Sequence, residues 1–393
     1  MGPKAVQFGA GNIGRGFLGQ LFYQSGYEIL FIDVDHELVR EINRRGSYPI
    51  RVVGDTSHDI TVGRAHAVDG INTAAVVHEL ATADIAAIAV GVKALQSVAE
   101  PLARGLEARF QRPDSPPLNI IVCENMVNAA AFLKGEVSEK LSEAHGHALE
   151  TEVGFVDASI GRMVPLMTEE QRAEDPLLIL VEEYCELPVD KTAFKGPIPQ
   201  IHNLKPYDNF QGYVERKLYI HNTGHAITAY LGHLRGHMFI WEAIGDRAVR
   251  DQVKGALDES KEALNKRHGL SRSDLDDHIE DLLRRFANVA LADTVFRVAR
   301  DPIRKLGKDD RLVGTARAAL SAGVQPTYIA FGIAAAIHYD EPHDPESVTL
   351  KELREKEGVE AVLRKVCQLS PGDTLHDIVT RAIGDLRETG WLR

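Results

Sequence analysis

The stretch KLYIHNTGH, Lys217 to His225, sets an amine, a carboxamide and an imidazole close together in the chain. On an α-helix Lys217, Asn222 and His225 fall at 0°, about 140° and about 80°, on one broad face. Asn222 and His225 are neighbours at i,i+3. A lysine deprived of water gives up its proton more readily, because burial disfavours the charged form. It can then take a proton from an alcohol while an amide and an imidazole hold the oxygen. The ordinary alternative is a solvated lysine on an amphipathic helix, since lysine is seldom buried. Leu218, Tyr219, Ile220, Ala226 and Ile227 make the segment apolar and favour the chemical reading. Gly224 is expected to let a ligand approach the backbone. If Lys217 is not the base, His225 or Glu215 is the next candidate.

A second constellation opens the chain. In AVQFGAGNIGRGF a short apolar strand, 5–8, runs into Gly9, Gly11 and Gly14, and a helix from 13 to about 24 closes at Gly26. G-x-G-x-x-G is weak alone, but strand, helix and a following strand, YEILFIDVD, supply the context that a dinucleotide fingerprint requires. Gly9 makes the turn, Gly11 admits a pyrophosphate and Gly14 allows close packing; Ala5, Phe8, Ala10, Asn12, Ile13 and Gly16 complete the expected cofactor-binding set. Asp33 lies near the expected spacing of about 20 residues beyond the glycines, so it would accept from a ribose and repel a 2′-phosphate. NAD is therefore expected over NADP.

These residues need elements to hold them. The first half alternates helices at 36–44, 72–82 and 93–110 with apolar strands at 85–90 and 119–125, separated early by a polar β-rich insertion that turns at Gly54-Asp55 and runs to about 69. Such strands predict a parallel sheet covered on both faces, with ligands beyond the strand carboxyl ends. Val90, Gly91 and Glu124 lie at such ends and are expected near the nicotinamide half; Asn125 is either a site residue or the N-cap of a helix over 126–141. Stretches at 152–156 and 177–185 are expected to extend the sheet. Residues 190–200, with Pro197 and Pro199, read as a linker, giving domains 1–195 and 196–393.

The second half is helical by periodicity, near 208–235, 239–267, 273–288, 310–322, 326–338, 347–368 and 373–387. Within it Arg297, Arg300, Arg304, Lys305, Lys308 and Arg311 crowd one short segment. Such cations suit a phosphate or carboxylate; they also make an ordinary solvated face balanced by Asp301, Asp309 and Asp310. His221/His225 and His233/His237 stand at i,i+4, but no H-E-x-x-H or third ligand accompanies them, so no metal is expected.

The 393 residues allow two domains, and 44% hydrophobic with 26% charged residues describes a soluble globular chain. A formal charge of −12 argues against nucleic acid or membrane surfaces as partners. Cys123, Cys185 and Cys367 are too scattered for a disulfide framework or a zinc cluster. Neither a signal peptide nor a myristoylation start precedes Ala5, Trp391–Leu392–Arg393 forms no known address, and no apolar run approaches the ~20 residues of a membrane span. A cytoplasmic protein is expected.

With these residues assembled, the chain resembles the polyol-specific long-chain dehydrogenase/reductase family over nearly its whole length. The family signature K-x4-N-x2-H is met by Lys217, Asn222 and His225. QFGAGNIGRGF, CENMVN, ERKLYIHNTGHAITAYLG, RKLGKDDRL and GIAAAIHY resemble the members that act on mannitol 1-phosphate. The resemblance implies an α/β fold: an N-terminal Rossmann-type domain, a mainly α-helical C-terminal domain and the site between them. It implies metal-independent interconversion of mannitol 1-phosphate and NAD+ with fructose 6-phosphate and NADH. Lys217 would then be the general acid/base, Asn222 and Asn125 the oxyanion pair, and His225 the group orienting the substrate oxygen. Arg297 and Lys305 match an arginine and lysine that contact substrate in relatives, with Arg300 and Arg304 as further phosphate candidates. A monomer is implied. Many relatives carry Asp-Arg where this chain reads Gly161-Arg162-Met163-Val164-Pro165, so the resemblance leaves open whether this segment touches the sugar hydroxyls. Related chemistry on free mannitol or fructuronate would use the same trio; a non-catalytic NAD(H) sensor would instead need a DNA-binding segment, and none is found.

Overall fold

A computed structural model describes residues 2–392 apart from Asp55 and Leu166. The turn expected at Gly54-Asp55 thus falls partly outside the described residues. Packing divides the chain into two units, Met1–Phe210 and Gln211–Arg393.

The strands of the first unit are β1 (Lys4–Phe8), β2 (Glu28–Asp33), β3 (Ser47–Val53), β4 (His58–Gly63), β5 (Ala65–Asp69), β6 (Ile85–Ile88), β7 (Leu118–Val122), β8 (Val153–Asp157), β9 (Ile179–Glu182), β10 (Leu187–Asp190) and β11 (Leu204–Tyr207). Six of them make one sheet in the order β5-β2-β1-β6-β7-β8, every neighbouring pair parallel. Counted along the chain this is the doubly wound dinucleotide-binding order, with its switch point between β1 and β6. Alternate residues feed two cores. Ala5, Ile29, Phe31 and Ile121 pack on one face with Phe17, Leu21 and Tyr48. Val6, Phe8, Ile88 and Ile120 pack on the other with Leu80, Leu102 and Leu133. Both faces are thus covered, which is why the strands read as nearly unbroken apolar runs.

Three details depart from the sequence reading. The end of the polar insertion is β5, the edge strand of the main sheet, paired with β2; its mixed burial hides it, since an edge strand needs no continuous apolar run. The stretch 177–185 does not extend the main sheet: β9 pairs with β3, and β4-β3-β9 form a separate sheet. Residues 190–200 do not end the unit, because the chain turns through a short 3₁₀ segment capped by Asp190 and returns as β11 beside β10. That pairing carries the first unit on to Phe210.

In the second unit a helix runs unbroken over 210–234, followed by Ile240–Gly245, Arg247–His268 and Arg272–Phe286. Asp246 separates two of these by accepting from the Ala248 N–H and starting a new helix. Thr327–Ile337 is buried from Ile329 to its end. A Cβ at Gly332 would lie 2.5 Å from Ile227, and one at Gly224 would lie 2.9 Å from Leu257. Gly224 therefore serves helix packing, not ligand approach. The remaining helices include Pro345–Glu357 and Val359–Lys365, split by Gly358 at φ 84°. Among the described residues no helix is long and apolar enough to cross a membrane.

Candidate active site

The glycine turn is built to different tolerances at each glycine. Gly9 has φ 88° and sits so close to β6 that a Cβ would fall 2.2 Å from the Ala89 carbonyl oxygen. At Gly14 a Cβ would lie 1.9 Å from the Gly9 carbonyl oxygen, so the helix start is pressed onto the turn. Around Gly11 a Cβ would meet nothing within 4 Å. One glycine thus makes the turn, one packs the helix, and one leaves open space over a helix N-terminus, the arrangement a pyrophosphate uses. Gly16 does something else: its position faces Ile179 at 2.5 Å, which makes it a packing contact with β9. Ala5 and Phe8 are buried in the sheet, in the cores of its two faces. Asn12 is exposed and Ile13 half-buried at the head of the helix. That helix continues as a π-turn over Gly14–Gly19.

Asp33 ends β2 with one carboxylate oxygen accepting from the Ala10 N–H at 2.7 Å and the other from the Asp35 N–H at 3.0 Å. The carboxylate is thereby locked to the glycine turn, and these residues fit the adenosine half of a dinucleotide. Glu124 is nearly buried, and a single oxygen accepts from the N–H groups of both Val90 and Gly91 at 2.8 Å. Burial pushes its carboxyl upward, against those two hydrogen bonds. Glu124 therefore shapes the Val90–Gly91 turn, where Gly91 has φ 88°. Asn125 is exposed, and it is not the helix cap: the helix is Ala129–Lys140, with Asn128 at the N-cap position and Asp157 accepting from the Ala130 N–H.

The Gly161–Pro165 stretch has a structural task. The buried Arg162 guanidinium donates to the carbonyls of Gly16 and Glu182 and to Gln20 Oε1. Arg15, also buried, donates to the carbonyls of Ala10 and Leu177. The two arginines tie the glycine helix to β9 and its approach.

In the second unit Lys217–Asn222 is a π-turn inside the 210–234 helix, continued by Thr223–Leu234. Its i→i+5 bonding draws Lys217 and Asn222 closer around the axis than an α-helix would, and such turns recur at functional sites. The widened turn has an anchor. The Thr223 N–H bonds to the Leu218 carbonyl, and the Thr223 hydroxyl lies 3.0 Å from that oxygen, 2.6 Å from the Arg311 carbonyl and 2.9 Å from the Thr315 hydroxyl. Tyr230 donates to the Ala299 carbonyl at 2.8 Å. The basic segment is thus fastened along the helix that carries the trio. Lys217, Asn222 and His225 are all partly buried.

His225 stacks on Phe286, ring centroids 4.7 Å apart and planes at 16°, with His221 edge-on at 6.1 Å. Its Nε2 lies 3.0 Å from Asp293 Oδ2, at ion-pair distance although the ring N–H is not well aimed at it. Burial lowers the affinity of His225 for a second proton, with Asp293 opposing. For Asp293 burial favours the neutral acid, but His225 and Arg297 outweigh it and hold the carboxyl below its usual range. Asp293 was not visible as a site residue; its i,i+4 spacing from Arg297 is the signal that could have found it.

The basic segment divides. Arg297 forms a two-point pair with Asp293, Nε to Oδ1 at 2.7 Å and Nη2 to Oδ2 at 2.6 Å. Lys305 is buried, donates to the carbonyls of Val298 and Arg300, and is pushed down to about 7 by burial, reinforced by Arg311 and Arg304. Arg304 and Arg311 share Asp310. Arg300 and Lys308 are half-exposed, with Asp301 and Asp309 no nearer than 3.9 and 3.8 Å. Glu215 is engaged by Arg267 and His268, which leaves it poorly placed to act as a base. Of the paired histidines, His221 is buried, His233 lies edge-on to Tyr339 and His237 faces Asp246. Among the described residues no group of three or more His, Cys, Asp or Glu is arranged to hold a metal ion.

A doubly wound nucleotide-binding unit with a glycine turn, followed by a helical unit carrying a lysine-amide-imidazole trio, defines a dinucleotide-dependent dehydrogenase architecture. Comparison with known proteins agrees. Residues 3–203 match the family model for the mannitol dehydrogenase Rossmann domain and 209–386 that for the mannitol dehydrogenase C-terminal domain. The chain belongs to the mannitol dehydrogenase family. A mannitol-1-phosphate 5-dehydrogenase of Bacillus pumilus (strain SAFR-032) is 40% identical over 379 residues, covering 96% of this chain and 99% of that one. Among solved structures, a Pseudomonas fluorescens mannitol 2-dehydrogenase in ternary complex with NAD and D-mannitol shares the fold at TM-score 0.75 and 17% identity, over 99% of this chain and 92% of that one. A substrate-free D-sorbitol dehydrogenase does so at TM-score 0.78 and 16% identity, over 99% and 94%.

Proposed function

We propose that this chain interconverts mannitol 1-phosphate and fructose 6-phosphate with NAD as the redox partner, and that it needs no metal ion to do so. The observation that carries the chemistry is the π-turn, which gathers Lys217 and Asn222 on a helix whose next turn holds His225. The substrate follows from the high-coverage relative: oxidising C5 of mannitol 1-phosphate gives a ketone that, numbered from the other end, is fructose 6-phosphate.

The glycine turn offers backbone N–H groups and open space at Gly11 to the pyrophosphate, and Asp33 receives the ribose. The bound NAD+ supplies a hydride acceptor. Lys217 takes the hydroxyl proton in oxidation and returns it in reduction. Asn222 donates to the developing alkoxide, the service that preorganised donors give wherever charge appears. His225, kept neutral by burial, orients the reacting oxygen. Arg300, Arg304 and Lys308 offer the exposed cations for the phosphate, while Arg297 and Lys305 hold their segment in shape.

Reduction rates with NADH on fructose 6-phosphate, fructose and fructuronate test this directly. Clear preference for fructose 6-phosphate is expected; equal or better use of either unphosphorylated sugar would reassign the substrate within the family.

A further inference from the structure

We infer that Asp293 is a positioning residue that fixes the tautomer and orientation of His225, with Arg297 as its brace. This rests on the proposed role of His225 and adds to it the group that makes that role specific. Four observations converge. Asp293 Oδ2 lies 3.0 Å from His225 Nε2, a nitrogen sealed from solvent that has no other partner among the described residues and lies at ion-pair distance without a well-aimed hydrogen bond. Arg297 grips both oxygens of the same carboxylate at 2.6 and 2.7 Å. The Asp293 carbonyl accepts from the Ile240 N–H at 2.9 Å, so the aspartate's own backbone is pinned to the start of the Ile240–Gly245 helix. Phe286, stacked on the imidazole, limits the ring's freedom to rotate.

A bare imidazole nitrogen 3.0 Å from a carboxylate oxygen would set two lone pairs against each other, so the proton stays on that nitrogen and the other becomes the acceptor. Here the proton is assigned to Nε2, and Nδ1 is left to accept from a substrate hydroxyl. Arg297 neutralises the carboxylate, which keeps Asp293 from drawing a second proton onto the ring. The cation is thus spent on an internal pair, which explains why an arginine in a basic segment is so closely matched to one acid.

The test is ¹⁵N-histidine NMR of the full chain, with the His225 signals assigned by their loss in His225→Gln. The Nε2–H tautomer is expected in the wild type and in Arg297→Lys, and a mixed or Nδ1–H population in Asp293→Asn. Asp293→Asn should lower kcat about tenfold or more with KM for NADH unchanged, and Asp293→Glu should restore part of it. A wild-type His225 protonated on Nδ1 overturns the inference even if Asp293→Asn fails to fold. So does an Asp293→Asn enzyme with unchanged kcat. If Lys217→Ala is inactive while Asp293→Asn is unimpaired, this inference alone fails; if Lys217→Ala is active, the underlying reading fails instead.

Discussion

In the first unit the groups offered to a ligand are backbone amides around a turn; in the second they are side chains along a helix. The glycine turn works by what is missing. Gly9 and Gly14 have no room for a Cβ, and Gly11 has room for something larger than one. The π-turn works by what is added: an extra residue in the helical repeat, a threonine to serve the loosened carbonyl, and an aspartate 3.0 Å from the histidine. A backbone site should fail through geometry, and a side-chain site through charge and proton chemistry. Mutations can separate the two.

The largest effect is expected from Lys217→Ala. Removing a positioned base should lower kcat by ~10²–10⁴-fold while thermal stability and NADH binding stay near wild type. The pH dependence of oxidation that the base imposes should vanish with it, and small primary amines in solution should restore part of the rate. Near-normal turnover would remove the chemistry from the second unit's turn and erase the contrast.

Gly14→Ala and Gly11→Ala test the backbone side. With the Gly9 carbonyl oxygen 1.9 Å from its new methyl, Gly14→Ala must displace the helix start, and loss of both stability and dinucleotide binding is expected. Gly11→Ala has open space, so its melting temperature should hold while KM for NAD rises. If the two variants behave alike, the separate tasks assigned to the two glycines are wrong.

Much of the first site was legible for the same reason. A positive φ or a contact under 3 Å leaves glycine as the one residue that fits, so the sequence carries the mark of the geometry. It does not say which glycine faces a ligand. Gly16 and Gly224 look like ligand approaches and turn out to face Ile179 and Leu257. The second site was legible as a list of functional groups and not as a shape. A π-turn has no residue signature of its own, and α-helical angles misplace Asn222 relative to Lys217. Asp293 is distant from His225 in sequence and sits among cations, where an acid reads as surface balance. Lys305 reads as a substrate contact by its spacing from Arg297, and the spacing does not reveal that the amine is buried against the carbonyls of Val298 and Arg300.

That burial gives a pH signature. The amine of Lys305 is lowered from the usual lysine value to about 7. A depressed folded-state value means the contribution to stability is full above the unfolded value of about 10.4 and is lost as pH falls through about 7. Lys305→Met removes the titration, so the wild type should lose stability relative to the variant across that window. Thermal midpoints from pH 10 to pH 6 measure it, each kcal/mol being worth roughly 2–4 °C for a unit of this size. A constant difference would mean that Lys305 keeps its charge in water, and would return it to the phosphate candidates.

A smaller change is expected at Asp33. Asp33→Ser removes the repulsion of a 2′-phosphate and also the acceptor of the Ala10 N–H. NAD preference should narrow by about tenfold or more, since one charge-assisted contact is worth ~1.5–3 kcal/mol. Equal use of NADP by the wild type would contradict the assignment.

The smallest effect tests whether the π-turn matters as a shape. Thr223→Val keeps the volume and the helix N–H bond to Leu218 but removes the hydroxyl that reaches the Arg311 carbonyl. That carbonyl still accepts from Thr315, so the loss is one partner of two, and a cost of ~0.5–1.5 kcal/mol is expected. If the π-turn sets the distance between Lys217 and Asn222, the cost should appear in kcat, about two- to tenfold, with KM for NADH unmoved. Thr223→Ser should recover it, because the hydroxyl and not the methyl group serves the carbonyls. A loss of stability with kcat intact would show that the turn keeps its shape without its anchor. The side-chain site would then be fixed by helix packing alone, much as the glycine turn is fixed by its own close contacts.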